Sequence, residues 1–209
     1  LLGLATMGAG MPADGSMVYL SPAPLYHAAP IGWCSIVHRL GGTVVMMEKF
    51  DPEEALKAIE RYKVTDSQWV PTHFVRFLKL DPAVRTRYDL SSHKRALHAA
   101  APCPVPIKRE MIEWWGPVVY EYYGATETGV VVWHGSEEAL RKPGTVGRPV
   151  SGAILRIVDE QGRDVDQGEV GEICVRSPLA MDGYWKRPEE TAATLRSGWL
   201  HTGDMARKD

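Results

Sequence analysis

The chain has little that would tie it to a nucleic acid, a bilayer or an oxidising compartment. Its 209 residues carry 24 Lys and Arg against 26 Asp and Glu, a formal charge of −2, so there is no basic excess to neutralise a phosphate backbone. The basic pairs Lys94-Arg95 and Arg207-Lys208 are short and read as solvated surface. No apolar run approaches the ~18–20 residues needed to cross a bilayer. The opening stretch, Leu1 to Met11, is apolar but broken by glycine and lacks a basic leader, which argues against a secretory signal. Only Cys34, Cys103 and Cys174 occur, odd in number and far apart. That pattern offers neither a disulfide framework nor metal-ligand spacing; it fits a reducing cytoplasm with each cysteine a small packing residue. Peripheral attachment to a membrane stays open, and oligomeric state is unreadable. Gly-x-Gly-x-x-Gly, Gly-x-x-x-x-Gly-Lys-Ser/Thr and a nucleophile elbow are all missing, which removes the dinucleotide fold, the P-loop and the serine-hydrolase triad.

What is present is an alternation of β-rich runs and helical patterns. Met17–Leu20, Thr43–Met47, Ser67–Val70, Ala96–Ala100 and Val118–Tyr120 read as buried strands. Asp51-Pro52-Glu53-Glu54 reads as a helix start, with Asp as N-cap, Pro at the first position and acids at the positive dipole end. Ile107, Met111 and the Trp114-Trp115 pair mark another helix after a proline-rich entry. Strand–helix alternation predicts an α/β fold, a mostly parallel sheet with helices on both faces. The pattern changes near Trp133: a short helix at Ser136–Leu140 and a Gly/Pro loop lead into Ile154–Val158 and Glu172–Arg176, alternating runs expected to pair antiparallel. Arg187-Pro188 opens one more helix. The expected division is 1–133 for the α/β part and 134–209 for a small, partial antiparallel β subdomain. Ligands of such sheets gather beyond the carboxyl ends of the strands, where Tyr122 to Thr128 is expected to emerge as a loop.

The chemistry concentrates in that segment, Glu121-Tyr-Tyr-Gly-Ala-Thr-Glu-Thr-Gly129. Tyr123 offers a ring to stack on adenine, and Gly124 lacks the Cβ that would block close backbone approach. Thr126 offers a hydroxyl to a phosphate oxygen, and Glu127 a hard oxygen of the kind Mg²⁺ takes. Asp204, in Trp199-Leu-His-Thr-Gly-Asp204, sits at an expected strand end and can accept bonds from a ribose diol; it also reads as a turn residue capping its own backbone. His27, in Pro24-Leu-Tyr-His27, could orient a substrate carboxylate, or be a buried structural histidine. His73 reads as structural.

Five ordered blocks make the chain resemble the adenylate-forming (AMP-binding) superfamily, in its acyl-CoA synthetase branch. They are Pro24–His27, Val70-Pro-Thr-His73, Ala99-Ala-Ala-Pro102, Tyr123–Glu127, and Gly171–Ser177 through Gly183-Tyr184 and Trp199–Asp204. The resemblance covers essentially the whole chain. It implies a two-step ligase in which a carboxylic acid, a fatty acid first among candidates, attacks ATP to give acyl-AMP and pyrophosphate, and coenzyme A then displaces AMP. It implies Mg²⁺ at Glu127 and the α-phosphate at Thr126. It also implies the base beside Ala100, Ala101, Glu121, Tyr122, Tyr123 and Gly124, ribose at Asp204, and the acid near His27, Ala99, Ala100 and Tyr122. The family often has Gly-Gly-Ala-Pro where this chain has Ala99-Ala-Ala-Pro102, so the extra methyls narrow that edge. The family's lysine-ending phosphate loop and its C-terminal domain have no counterpart here, which makes the chain look like an internal piece, expected to be inactive alone. A luciferase-like enzyme, a carrier-protein-loading ligase and a non-catalytic nucleotide-binding module are the alternatives.

Overall fold

The computed structural model describes residues 10–209, so most of the apolar opening stretch lies outside the described residues. In chain order the elements are β1 (Val18–Ser21), α1 (Ala28–Arg39), β2 (Thr43–Met46), α2 (Pro52–Tyr62), β3 (Asp66–Trp69), α3 (Pro71–Leu78), α4 (Pro82–Arg85), β4 (Arg95–His98), α5 (Val105–Trp115), β5 (Val119–Ala125), β6 (Gly129–Gly135), α6 (Ser136–Arg141), β7 (Arg148–Pro149), β8 (Ile154–Val158), β9 (Gly171–Arg176), α7 (Pro188–Thr194), β10 (Leu195–Arg196) and β11 (Trp199–Ala206). A seven-stranded sheet runs β2-β1-β3-β4-β5-β6-β7, and a four-stranded sheet runs β10-β11-β9-β8. The first five strands of the larger sheet pair parallel, and the smaller sheet is antiparallel. The described residues divide into two compact units, 10–123 with 133–148, and 124–132 with 149–209.

Helices cover both faces of the parallel sheet, and the two-residue period of the strands shows which side chains meet them. Leu20, Trp69, Ala96 and Val119 share a core with Leu56 and Ile59 of α2, Phe74 and Phe77 of α3, and Met111 and Ile112 of α5. The opposite face carries Tyr19, Gln68 and Tyr122. There the Trp33 indole of α1 donates to the Tyr122 hydroxyl at 3.0 Å, and the Gln68 amide donates to it at 2.5 Å. Burying side chains of this size is worth roughly 1.5–3 kcal/mol each. Helix α2 starts as its sequence dictates, with the Asp51 carboxylate accepting from the Glu53 and Glu54 amides at 3.0 Å each. The His73 Nδ1 accepts from the Val70 amide at 3.4 Å at the start of α3, and its ring stacks on Phe50.

Two local expectations need correction. The Tyr122–Thr128 segment is not a loop beyond a short strand: β5 continues through Ala125, and β6 begins at Gly129. The physical reason is at Gly124, where a Cβ would stand 2.1 Å from the Gly129 carbonyl oxygen and 2.9 Å from its carbon. The missing side chain lets two backbones touch, so the strand persists past the tyrosines. Asp204 likewise lies inside β11 rather than at a strand end. The pairing of β11 with β9 breaks register between His201 and Met205, and Gly203 has φ +75°, so a bulge and not a terminus re-aims this stretch.

Gly124→Ala must push apart backbone atoms rather than a flexible side chain. It is expected to destabilise the chain by about 1–3 kcal/mol, the overpacking range. Urea unfolding of the variant beside the parent protein measures this, and an unchanged midpoint would remove the close-approach explanation.

Candidate functional site

Ala99, Ala100, Ala101, Glu121, Tyr122, Tyr123 and His27 belong to the first unit, and Gly124, Thr126, Glu127 and Asp204 to the second. In the first unit, β4 ends at His98 and the three alanines follow. Ala99 is buried, and Ala100 and Ala101 are exposed. Ala100 has φ +76°, a left-handed conformation that a side chain disfavours and that glycine adopts freely. His27 is the exposed N-cap residue of α1 with no side-chain capping bond; its ring lies 4.5 Å from that of Tyr26.

The alternation of β5 sends its site residues to different places. Tyr122 is buried, its hydroxyl held by Trp33 and Gln68 as described and its ring stacked on Trp133. Burial pushes its hydroxyl up to about 12. Tyr123 is half-buried. Glu121 points to the α5 side, where it is 4% exposed. Its carboxylate takes the Lys108 ammonium and the His134 Nε2, the latter at 2.7 Å, with His98 Nε2 at 4.0 Å. Burial favours the neutral acid at Glu121, but the hydrogen bond with His134 and the facing His98 and Lys108 outweigh it, holding the carboxyl below its usual range. Burial lowers His98 to about 4. The Glu121 carboxylate is thus engaged inside the protein. Sequence reasoning missed this cluster, although a signal existed: Lys108, Met111, Ile112 and Trp115 follow helical spacing, and a lysine on an apolar stripe implies a buried anion.

In the second unit the turn between β5 and β6 presents Thr126 and Glu127. The Ala125 amide donates to Thr128 Oγ1 at 2.9 Å, so Thr128, itself buried, braces the turn from within. The Met181 amide donates to the Glu127 carbonyl at 2.7 Å, and the Tyr184 hydroxyl donates to Glu127 Oε1 at 3.0 Å. That bond to the carboxylate raises the Tyr184 hydroxyl above its ordinary range. Ala125, Glu127, Thr128, Tyr184, Glu172, Arg196 and the run Leu200–Gly203 line one cavity of about 350 Å³. Thr126 and Asp204 are exposed neighbours, in sequence, of these lining residues; the Asp204 amide donates to Thr202 Oγ1 at 3.1 Å. Two motifs far apart in sequence, Ala125–Thr128 and Thr202–Gly203, therefore share one cavity. A larger cavity of about 720 Å³ lies between α4 and α5, lined by residues such as Pro82, Arg85 and Trp114. It contains none of the motif residues and is not the candidate site.

A carboxylate at a turn, glycines on either side and a threonine-rich rim suit an anionic, metal-bearing ligand such as a nucleotide phosphate. Residues 3–185 match the family described as AMP-binding enzyme. The chain is 39% identical over 194 residues to the medium/long-chain-fatty-acid–CoA ligase FadD8 of Mycobacterium tuberculosis, covering 91% of this chain and 33% of that protein. It superposes along its whole length on 43% of the amide bond synthetase McbA of Marinactinospora thermotolerans, with TM-score 0.87 and 32% identity. It also superposes on 42% of the o-succinylbenzoate coenzyme A synthetase of Bacillus subtilis in complex with ATP and magnesium ion, with TM-score 0.88 and 28% identity. The chain spans about a third of the length of the curated relatives it matches.

Two outcomes follow from the buried groups of the first unit. Lys108→Met leaves Glu121 without its ammonium partner, and is expected to cost about 3–5 kcal/mol in urea unfolding; Glu121→Gln combined with Lys108→Met should recover part of the loss. Burial lowers His73 to about 4, His93 to about 3 and His98 to about 4. Between those values and the ordinary 6.5, the unfolded chain binds more protons than the folded one. The contribution of these three histidines to stability is then full above pH 6.5 and falls as pH drops toward 4, to be read as a lower urea midpoint at pH 5 than at pH 7.

Proposed function

As the chain belongs to the AMP-binding enzyme family, we propose that it is the central part of an acyl-CoA synthetase. The complete enzyme activates a carboxylic acid, a fatty acid first among candidates, with ATP and passes the acyl group to coenzyme A. The observation that supports this reading is the cavity lined by both Glu127 and the Thr202–Gly203 stretch, the sequence neighbours of Thr126 and Asp204.

The carboxylate of the acid and the α-phosphate of ATP are both anionic, so their reaction needs charge neutralisation and in-line positioning. Glu127 is the residue to hold Mg²⁺. One of its oxygens accepts from Tyr184 while the turn presents the carboxylate to the cavity, a single hard donor of the kind Mg²⁺ combines with phosphate and water. Bound there, the ion supplies neutralisation of the phosphate charge. Thr126 donates its hydroxyl to the α-phosphate, and Asp204 accepts from the ribose hydroxyls. Tyr123 and Gly124 border the base, with the backbone of Glu121 and Tyr122 beside them. Ala100 and Ala101 form an edge shared by base and acid, Ala99 and Tyr122 belong to the acid pocket, and His27 stands by the reacting carboxylate.

The acceptor in the second step is the thiol of coenzyme A. The likeness to an amide bond synthetase favours an amine as the second candidate for attack on the acyl-adenylate. In both cases the nucleophile adds to the acyl carbon and AMP leaves with the bonding pair of the acyl–oxygen bond.

The test uses the full-length protein that carries this segment. It is expected to form AMP from ATP and a medium- or long-chain acid in a manner dependent on coenzyme A; AMP formation supported only by an amine would transfer the proposal to amide synthesis. Glu127→Gln in that protein should lower turnover by ~10²-fold, the scale of losing one key electrostatic group. Near-normal turnover would remove the magnesium assignment. The present 209-residue chain alone is expected to give no acid-dependent pyrophosphate exchange.

A further inference from the structure

The smaller sheet gathers three donor side chains that the proposed reaction does not use. The two-residue period of β9 puts Glu172 and Cys174 on one face, and the register with β11 sets Cys174 directly opposite His201. Cys174 Sγ lies 3.4 Å from His201 Nδ1, and Glu172 Oε2 lies 2.8 Å from the same nitrogen. The trio stands where the β9–β11 ladder loses register, and there the Gly203 amide donates to Glu172 Oε1 at 3.0 Å, fixing the carboxylate. Among the described residues it is the set of His, Cys and acidic groups whose ligand atoms converge within 4.8 Å.

We infer that Glu172, Cys174 and His201 form a binding site for a thiophilic divalent cation of the Zn²⁺ class. The ligand set is one soft thiolate, one borderline imidazole and one hard carboxylate, and the first two select such a cation over Mg²⁺ or Ca²⁺. The spacing suits it as well. With Zn–S of about 2.3 Å and Zn–N of about 2.0 Å, a tetrahedral ion holds its sulfur and nitrogen roughly 3.5 Å apart. The existing sulfur–nitrogen separation therefore needs almost no change, and the carboxylate has to open by only a few tenths of an ångström. Thiolate and carboxylate together offset the two positive charges. Two cations oppose the ion: Arg156, paired with Cys174 across the β8–β9 ladder and held by Asp164 at 2.9 Å, and Arg196, 3.8 Å from Glu172, which has to swing outward on its exposed side chain. Cys174 is buried, but Glu172 and His201 stand on the cavity wall, so the ion enters from that side and keeps water as its fourth ligand. On binding, the Cys174 thiol proton leaves to solvent, and the His201 proton moves from Nδ1 to Nε2, so uptake weakens as pH falls.

Cobalt(II) is the probe, because a thiolate ligand gives it a near-ultraviolet charge-transfer band. The purified protein is expected to show this band on titration with Co²⁺ and to lose it on adding Zn²⁺. Cys174→Ala and His201→Asn should abolish or strongly weaken it, and Glu127→Gln should retain it, which separates this site from the proposed magnesium position. No band, or a band that survives Cys174→Ala, overturns the proposal. Because a variant could lose its fold, the parent protein is also alkylated with and without Zn²⁺ and its cysteines resolved by mass spectrometry. Slowing by Zn²⁺ at Cys174, with Cys34 and Cys103 unaffected, supports the site; equal rates at Cys174 overturn it.

Discussion

The contact on which the candidate site depends is the approach of Gly124 to the carbonyl of Gly129. No L side chain fits between the two backbones. Their closeness keeps β5 and β6 in strand conformation up to a short turn, and that turn is where Thr126 and Glu127 are presented. Thr128 then ties the turn to its own start through the Ala125 amide. A carboxylate on a braced turn loses less freedom on meeting a ligand than one on a mobile loop, so the geometry is preorganised by backbone contact before any substrate arrives.

Behind the turn, β5 is held in the first unit by two unlike means. On one face Glu121 is fixed by Lys108 and His134, a buried ionic arrangement whose value lies in its completeness, since an unpaired charge there is costly. On the other, the hydroxyl of Tyr122 receives two donors, and its ring lies against Trp133. Adjacent residues of one strand thus anchor it to opposite layers. That is the ordinary consequence of a two-residue period, and here it leaves the next residues, Tyr123 and Gly124, with a well-fixed backbone. The candidate ligand-facing groups are carried by a strand whose preceding residues are fully engaged.

Much of the fold was legible because each element announces itself locally. Asp51-Pro52 starts α2 with the expected cap, four of the five apolar runs become parallel strands within one or two residues of their expected limits, and Ile154–Val158 and Glu172–Arg176 pair antiparallel as their alternation implied. The continuation of β5 was not legible, because Gly-Ala-Thr-Glu-Thr-Gly has the composition of a loop and only the pairing partner makes it a strand end. The bulge in β11 was hidden for the same reason. At the candidate site, the sequence identified the groups with chemistry, but not the company they keep. Glu121 was placed beside the base by resemblance alone, with no sign of the Lys108 and His134 that hold its carboxylate, and Tyr184 was noted only as part of a block until its hydroxyl was found on Glu127. The Glu172, Cys174 and His201 trio escaped because ladder register, not chain spacing, brings it together.

Ala100 carries a last consequence. An alanine held at φ +76° sits in a conformation where a methyl is tolerated and a branched side chain is not. Alanine and glycine codons differ by one base, so drift between these two is the easy evolutionary step, and nearly every other replacement has to contend with the backbone first. Selection would therefore find this residue almost immovable. Diversification along this edge is channelled to Ala101, which is exposed and has no such restriction.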